Sequence, residues 1–435
     1  MRISKNAVIV ISATIMILLA ACTNSLEKPE RDSIEGNFEI LWDVNSGLSP
    51  DLYAIQALKA QFPDAAFHAT TFEPLDYTQF RLDPPLNQYD LAENNVPGDL
   101  IFMDSTLAPY LFKTGYLEPL DNYIRTDLSI TEHLEPWLLD SVREQGDDQV
   151  YGIPFGKNVY ALYYNTEIFN EMNLPAPTNG MTWEEVFDLA WQITESPLRG
   201  SRAALRVPDE QVAFSQFDIR VFNPETGQPF AESPLWEKQK EWMDRLMELE
   251  ESNPLPIEPY AYTPFMKKQL AMIAGRYIGN NAGGANSAIS GFQAPIGEGW
   301  DMVGFPVFAD APDTGPAPTY YYLGIPKNSH HKTEAFRMIS FLLSEGPQTD
   351  NSRNGLASVL NDADIDSKFG ELDYRLTGHH VQAFFAYPKE GSYDPEYDLN
   401  MQLVGKAVYW EDGKVLDEIM NYRRGKLEKV GVSVE

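Results

Sequence analysis

Short apolar runs rich in β-branched and aromatic residues alternate along this chain with stretches whose apolar positions recur every three or four residues. The first pattern predicts strands buried in a sheet, and the second predicts helices with one covered face. Residues 38–44 (FEILWDV), 66–72, 99–103 (DLIFM), 161–165 (ALYYN) and 270–274 read as strands. The DLIFM run is apolar enough for a parallel strand covered on both faces. After the first strand, Ser49, Pro50 and Asp51 supply an N-cap, a proline at the first helical position and an early carboxylate. Leu52, Ile55, Leu58 and Phe62 mark the inward face of that helix. Another helix follows 99–103, with Gly115 at its end. Thr182 and Glu185 have the spacing of a capping box, opening a helix to about 194. Ser233 and Pro234 open a long helix to about 251, and 332–343 is a helix with Phe336, Ile339 and Leu342 or Leu343 inward. Strands alternating with helices predict an α/β fold with largely parallel sheets. The polar stretch 73–97, with four prolines, predicts no element.

The N-terminus has a pattern of its own. Arg2 and Lys5 precede fifteen uncharged residues, 7–21 (AVIVISATIMILLAA). As a helix these would span about 22 Å, short of the ~30 Å hydrocarbon core, so the run reads as a signal peptide. It ends in Leu19, Ala20, Ala21 and Cys22, which resembles the bacterial lipobox, where the cysteine is cut free and diacylated. Cys22 is the sole cysteine of the chain. Lipidation of Cys22 would anchor the protein on the extracytoplasmic face of the cell membrane. Residues 22–36 are polar and read as a flexible tether.

Composition narrows the function. Lys+Arg is 33 and Asp+Glu is 64 in 435 residues. Removing residues 1–21, two of them basic, leaves 414 residues and takes the net charge from −31 to −33. That balance argues against nucleic acid and against a polybasic membrane-binding face, since both need clustered cations. One cysteine excludes a disulfide framework and a cysteine-based zinc site. The length suggests two or three domains.

The fragments Gly98-Asp99-Leu100, Gly115-Tyr116-Leu117-Glu118-Pro119-Leu120, Tyr151-Gly152-Ile153-Pro154, Leu162-Tyr163-Tyr164-Asn165, Thr182-Trp183-Glu184-Glu185 and Ala271-Met272, in that order, resemble the extracellular solute-binding proteins of family 1. These are the sugar-binding lipoproteins of bacterial ABC importers. The resemblance is densest over 98–194. It implies a periplasmic-binding-protein-like (type II) fold: two discontinuous α/β lobes joined by a hinge of crossing strands. It puts the crossings just after Pro154, near Phe305-Pro306 and near Gly324-Ile325-Pro326. The first lobe is then 36–156 plus 306–326, and the second 158–304 plus 330–435. The implied function is capture of a sugar or oligosaccharide between the lobes and its delivery to membrane permease subunits, by a monomer without cofactors.

A carbohydrate site needs aromatic platforms and planar polar side chains, placed beyond the carboxyl ends of strands. That directs attention to Trp42 and Asn45 after the first strand, Asp104 and Ser105 after the third, Asn158 in the hinge, Tyr277 after Arg276, and Tyr321 before the last crossing. Trp42 reads equally as core, and Asp104 equally as a helix N-cap. Strand alternation sends Tyr321 opposite to Tyr320 and Tyr322.

Other signals do not build a site. Asp362, Asp364, Asp366 and Asp373 have the spacing of an EF-hand loop, but Ser367 stands where the loop needs glycine and Asp373 where it needs glutamate. They read as a solvated acidic loop. The pairs His330-His331 and His379-His380 have no third ligand at metal spacing. No hydrolase elbow, phosphate loop or dinucleotide fingerprint occurs, so the chain reads as a binding protein and not an enzyme. Two alternatives stay open: a surface glycoside hydrolase, which needs only two carboxylates, and a sugar sensor of the same fold.

Overall fold

The computed structural model describes residues 33–43, 51–72, 96–105, 107–127, 130, 134, 136–208, 210–217, 234–252, 254, 262–277 and 299–391. Residues 1–21, which read as a signal peptide, Cys22 and Asn45 lie outside the described residues.

Two separate sheets organise the molecule. In the first, β1 (Gly36–Asp43) lies between β2 (Ala65–Phe72) and β3 (Leu100–Met103), followed by β10 (Tyr320–Gly324) and β4 (Gly152–Lys157) at the far edge. In the second, β6 (Ala203–Arg206) pairs with β7 (Leu270–Arg276), which pairs with β5 (Tyr160–Tyr164), which pairs with β8 (Asp301–Gly304). A two-stranded pair, β9 (Thr314–Gly315) and β11 (Lys389–Glu390), lies outside both.

The first sheet is covered by α1 (Gln56–Gln61, after a π-helical turn at Asp51–Ile55), α2 (Leu107–Thr114), α3 (Asp121–Thr126) and α4 (Pro136–Gln145). One hydrophobic cluster joins these elements, from Phe38 and Ile40 through Leu111 and Leu138 to Leu323. The second sheet is covered on one face by α5 (Thr166–Met172), α6 (Trp183–Glu195), α7 (Glu210–Phe214) and α8 (Pro234–Ser252). The capping box forms as its spacing predicts: Glu185 N–H donates to Thr182 Oγ1, and Thr182 N–H donates to Glu185 Oε2. Behind it α6 buries Trp183, Val186, Phe187, Ala190 and Ile193. Trp183 meets Trp242 of α8 edge-on at 4.9 Å. The other face holds Phe265 of α9 (Thr263–Met266), Trp300, Phe369 and Leu376.

The sheets are mixed, not largely parallel as the pattern predicts. β10 runs antiparallel to both β3 and β4, and β5 runs antiparallel to both β7 and β8. Each of these strands enters its sheet from the other lobe. It arrives at the edge where the parallel strands end, so it must run against them. Pro154 fits because β4 is an edge strand, and the register shift between Tyr321 and Tyr322 carries the pairing past Phe155.

Three boundaries differ from the resemblance. Ile34 is buried in the first cluster, so the fold begins before residue 36. The 305–306 crossing lies later: Val307 still bridges Thr182 of the second lobe, and Asn158 N–H donates to Thr319 O just before β10. The chain also does not leave the first lobe at 324–326. Pro326 bridges Leu117, and α10 (Lys332–Leu342) buries Phe336 and Ile339 in the first cluster. α11 (Glu345–Arg353) and α12 (Ala363–Asp366) follow at the junction of the lobes: Leu356, Val359, Leu360 and Ile365 belong to the first cluster, while Ala357 and then Phe369 belong to the cluster of the second lobe. The amphipathic period of 332–343 reveals a covered face but not which lobe covers it.

Candidate functional site

Strand direction locates the site. β1, β2 and β3 are mutually parallel, and β4 joins their direction because both β3 and β4 oppose β10. Asp43, Asp104 and Lys157 therefore stand at one edge of the first sheet, where Tyr320 starts β10. β2 and β3 flank β1 on opposite sides, which makes the β1/β3 crevice a topological switch point. In the second sheet β6, β7 and β8 share a direction, and Tyr160 at the start of β5 pairs with Arg276 at the end of β7. The crossings at 157–160 and 316–320 join these two carboxyl edges, so both face the hinge.

Asn158 lies in the first crossing. Its Nδ2 donates to Thr319 Oγ1 at 2.9 Å and to the Tyr321 hydroxyl at 3.0 Å. One side chain thereby ties the outgoing crossing to the returning one. Tyr321 points away from Tyr320 and Tyr322, whose rings lie 6.4 Å apart. Burial raises its pKa, while Arg276 and the Asn158 hydrogen bond oppose that rise. The hydroxyl stays protonated and serves as a donor at any physiological pH.

Asp104 accepts from Leu107 N–H at 2.8 Å, so it sets the first turn of α2 as an N-cap would. Its charge also reaches the Tyr321 and Tyr322 hydroxyls. Asp104 and Ser105 are half-buried at the crevice mouth. The N-cap and the ligand-edge position coincide, because helices following parallel strands start at that edge.

Two residues do not present the faces expected of them. Trp42 is 1% exposed and packs on Phe102 at 4.1 Å, so it is core. It falls on the buried phase of a strand covered on both sides. Tyr277 is 5% exposed, with its ring against Phe369, Phe384 and the Cα of Gly355. Its hydroxyl donates to Asp373, which also takes a bidentate pair of hydrogen bonds from Arg375 at 2.7 Å each. Burial works to raise the Asp373 pKa, but Arg375 and the Tyr277 hydroxyl outweigh it and hold the carboxyl below its ordinary value. Asp373 thus locks Tyr277 in place. In the same acidic loop Asp362 caps α12, accepting from Asp364 N–H at 2.8 Å.

Sequence reasoning missed a second polar group at this edge. Lys157 pairs with Glu390, whose Oε2 accepts from the Tyr320 hydroxyl at 3.0 Å. Glu390 lies more than two hundred residues from Lys157, and nothing local signals the pairing. Trp137 of α4 stands edge-on to Tyr320 at 6.3 Å.

A family model described as bacterial extracellular solute-binding protein matches residues 86–349, more than half of the chain. The chain belongs to that family. An uncharacterized ABC transporter extracellular-binding protein of Pyrococcus horikoshii is 23% identical over 389 residues, covering 85% of this chain and 82% of the relative. Among solved structures, an ABC substrate-binding protein from Listeria monocytogenes in complex with cycloalternan is 17% identical. It superposes at TM-score 0.64 over 92% of this chain and all of that one. The sugar-binding protein MalE from Xanthomonas citri is 16% identical, with TM-score 0.64 over 90% of this chain and 99% of that one. The two-lobed α/β architecture of this solute-binding protein is the one those structures share.

Proposed function

We propose that this solute-binding protein is the extracytoplasmic receptor of an ABC importer, anchored through a lipid on Cys22. It captures a sugar or oligosaccharide between its lobes and hands it to membrane permease subunits as a monomer. The observation that carries this reading is the meeting of two carboxyl edges at one hinge, in a chain of the solute-binding family. Asp104, Ser105 and Asn158 offer hydrogen-bonding groups there, and neighbours of the same fold carry sugars or are named for them. We assign the first lobe to 33–157 plus 320–365 and the second to 159–308 plus 369–391. Asn45, which follows β1 in the sequence, stays in the proposed set, while Trp42, Tyr277 and Tyr321 support the site from behind.

A thermal-shift screen of the processed chain against mono- and oligosaccharides tests the reading. At a hundredfold excess over Kd a ligand adds about 2.7 kcal/mol, enough to move the melting curve. The bound sugar should be recovered unchanged. Product formation abolished by a single carboxylate substitution would make the protein a hydrolase instead. Cys22→Ala should leave the chain unprocessed or release it from membranes, and parental fractionation of that variant would remove the lipid anchor. Growth on the sugar that binds separates delivery from sensing, since a deletion strain fails to import it only in the first case.

A further inference from the structure

Glu390 lies on β11, and its backbone pairs with Gly315 of β9, at the second-lobe end of the crossing at 316–320. This ribbon is fixed to the second lobe. The Tyr387 hydroxyl donates to Phe305 O at 2.7 Å, and Gly391 N–H donates to Gly315 O at 2.9 Å. Gly391 passes so close to the residue after α7 that a Cβ on it would lie 2.0 Å from Ser215 O. The Glu390 side chain reaches the first lobe instead. Its Oε1 pairs with Lys157 Nζ at the end of β4, and its Oε2 accepts from the Tyr320 hydroxyl at 3.0 Å, at the start of β10. The Lys157 and Glu390 side chains are only 16% and 34% exposed, so less of their attraction is lost to water than in a surface pair. Between Gly315 and Tyr320 the crossing is Pro316, Ala317, Pro318 and Thr319. The prolines fix φ, and Ala317 N–H donates to Ser215 Oγ at 2.7 Å, so the second lobe holds the crossing almost to its end. Glu390 thus spans the crossing, with its backbone at one end and its carboxylate at the other. Rotation of the lobes about the crossing changes the separation of those ends, and must stretch the carboxylate's bonds or release them.

We propose that Glu390 is an interlobe latch, which by its bonds to Lys157 and Tyr320 holds the unliganded lobes in this arrangement. The proposal rests on the reading that the lobes move to capture a ligand, and adds the residue that biases them before the ligand arrives. A contact made in one arrangement only stabilises that arrangement, so its removal shifts the population toward the other.

Double electron–electron resonance on the full processed chain tests this, with spin labels on Lys59→Cys of α1 and Glu184→Cys of α6. Both positions are exposed, one in each lobe, so the label distance reads the lobe arrangement without ligand. On that background Glu390→Gln and Lys157→Met each remove one charge and keep the length of the side chain. Each should move the ratio of lobe populations about threefold or more from the parental value, as loss of one shielded ion pair does. The two together should move it no further than either alone, because they break one contact. A parental distance distribution in both single variants overturns the proposal. A shift in only one of them overturns it too, since the two charges would then act separately, and so do additive shifts in the double variant. The measurement contains no saccharide, so these outcomes leave the sugar-binding reading untouched, and the saccharide screen decides that reading separately.

Discussion

The Asn158 amide ties its own crossing to the returning strand β10, through Thr319 and Tyr321. Asn158→Ala leaves the buried Tyr321 hydroxyl short of a partner, which costs about 1–3 kcal/mol. Urea unfolding should read that loss, and unchanged stability would mean that water replaces the amide. Asp366 sits nearby with Oδ1 buried and unpartnered. Burial raises its pKa from 3.8 to about 6, with Lys157 opposing and Glu390 and Asp362 adding to the rise. The folded chain then holds this proton more tightly than the unfolded chain. Its contribution is present below pH 4 and lost as pH rises through about 6. Asp366→Asn should therefore stabilise the protein by about 1–2 kcal/mol at pH 7.5 and change little at pH 4. Equal effects at both pH values would show that the carboxyl is not titrating there. None of this is legible in the chain, where Asp366 is one acidic residue among 64.

Elements were legible wherever local chemistry decides them. The capping box, the αL glycine at Gly115 (φ +70°) and the buried runs of β3, β5 and β7 all follow from short segments. Thr182→Ala should cost about 1 kcal/mol, read as a lower melting midpoint. β4 and β10 were harder, because Pro154, Gly156 and Gly324 read as turn punctuation. Their glycines serve close approach instead: a Cβ on Gly156 would lie 2.7 Å from the Leu356 side chain. Gly355 combines both demands, with φ +88° and the Tyr277 ring so close that a Cβ at this position would lie 2.6 Å from it. Gly355→Ala should destabilise the junction between lobes by more than the ~1 kcal/mol that backbone strain alone costs. Equilibrium unfolding of Gly355→Ala at or below that ~1 kcal/mol would show that Tyr277 yields.

At the scale of the whole molecule, the proposed capture between the lobes requires the crossings to let the lobes move as units. Moving an open population from 1:99 to 99:1 closed needs about 5.5 kcal/mol of differential affinity. Contacts from one lobe cannot supply it, since they are equal in both states. Small-angle scattering should show the radius of gyration falling as saccharide saturates. An unchanged radius at saturation would mean that ligand binds without closing this cleft.

The α/β class, most elements and the family resemblance were determined by the sequence alone, because apolar periodicity, caps and ordered motifs are local properties. Candidate positions at strand ends came the same way, from Asp104 and Asn158. Only the tertiary structure decided that Trp42 and Tyr277 turn inward, that the helix over 332–342 packs on the first lobe, and that Glu390 meets Lys157 and Tyr320. The physical reason is the same each time. An amphipathic pattern states that a face is covered, and a charge states that it needs a partner. Which surface does the covering, and which partner arrives, depends on residues hundreds of positions away that only the closed fold brings together.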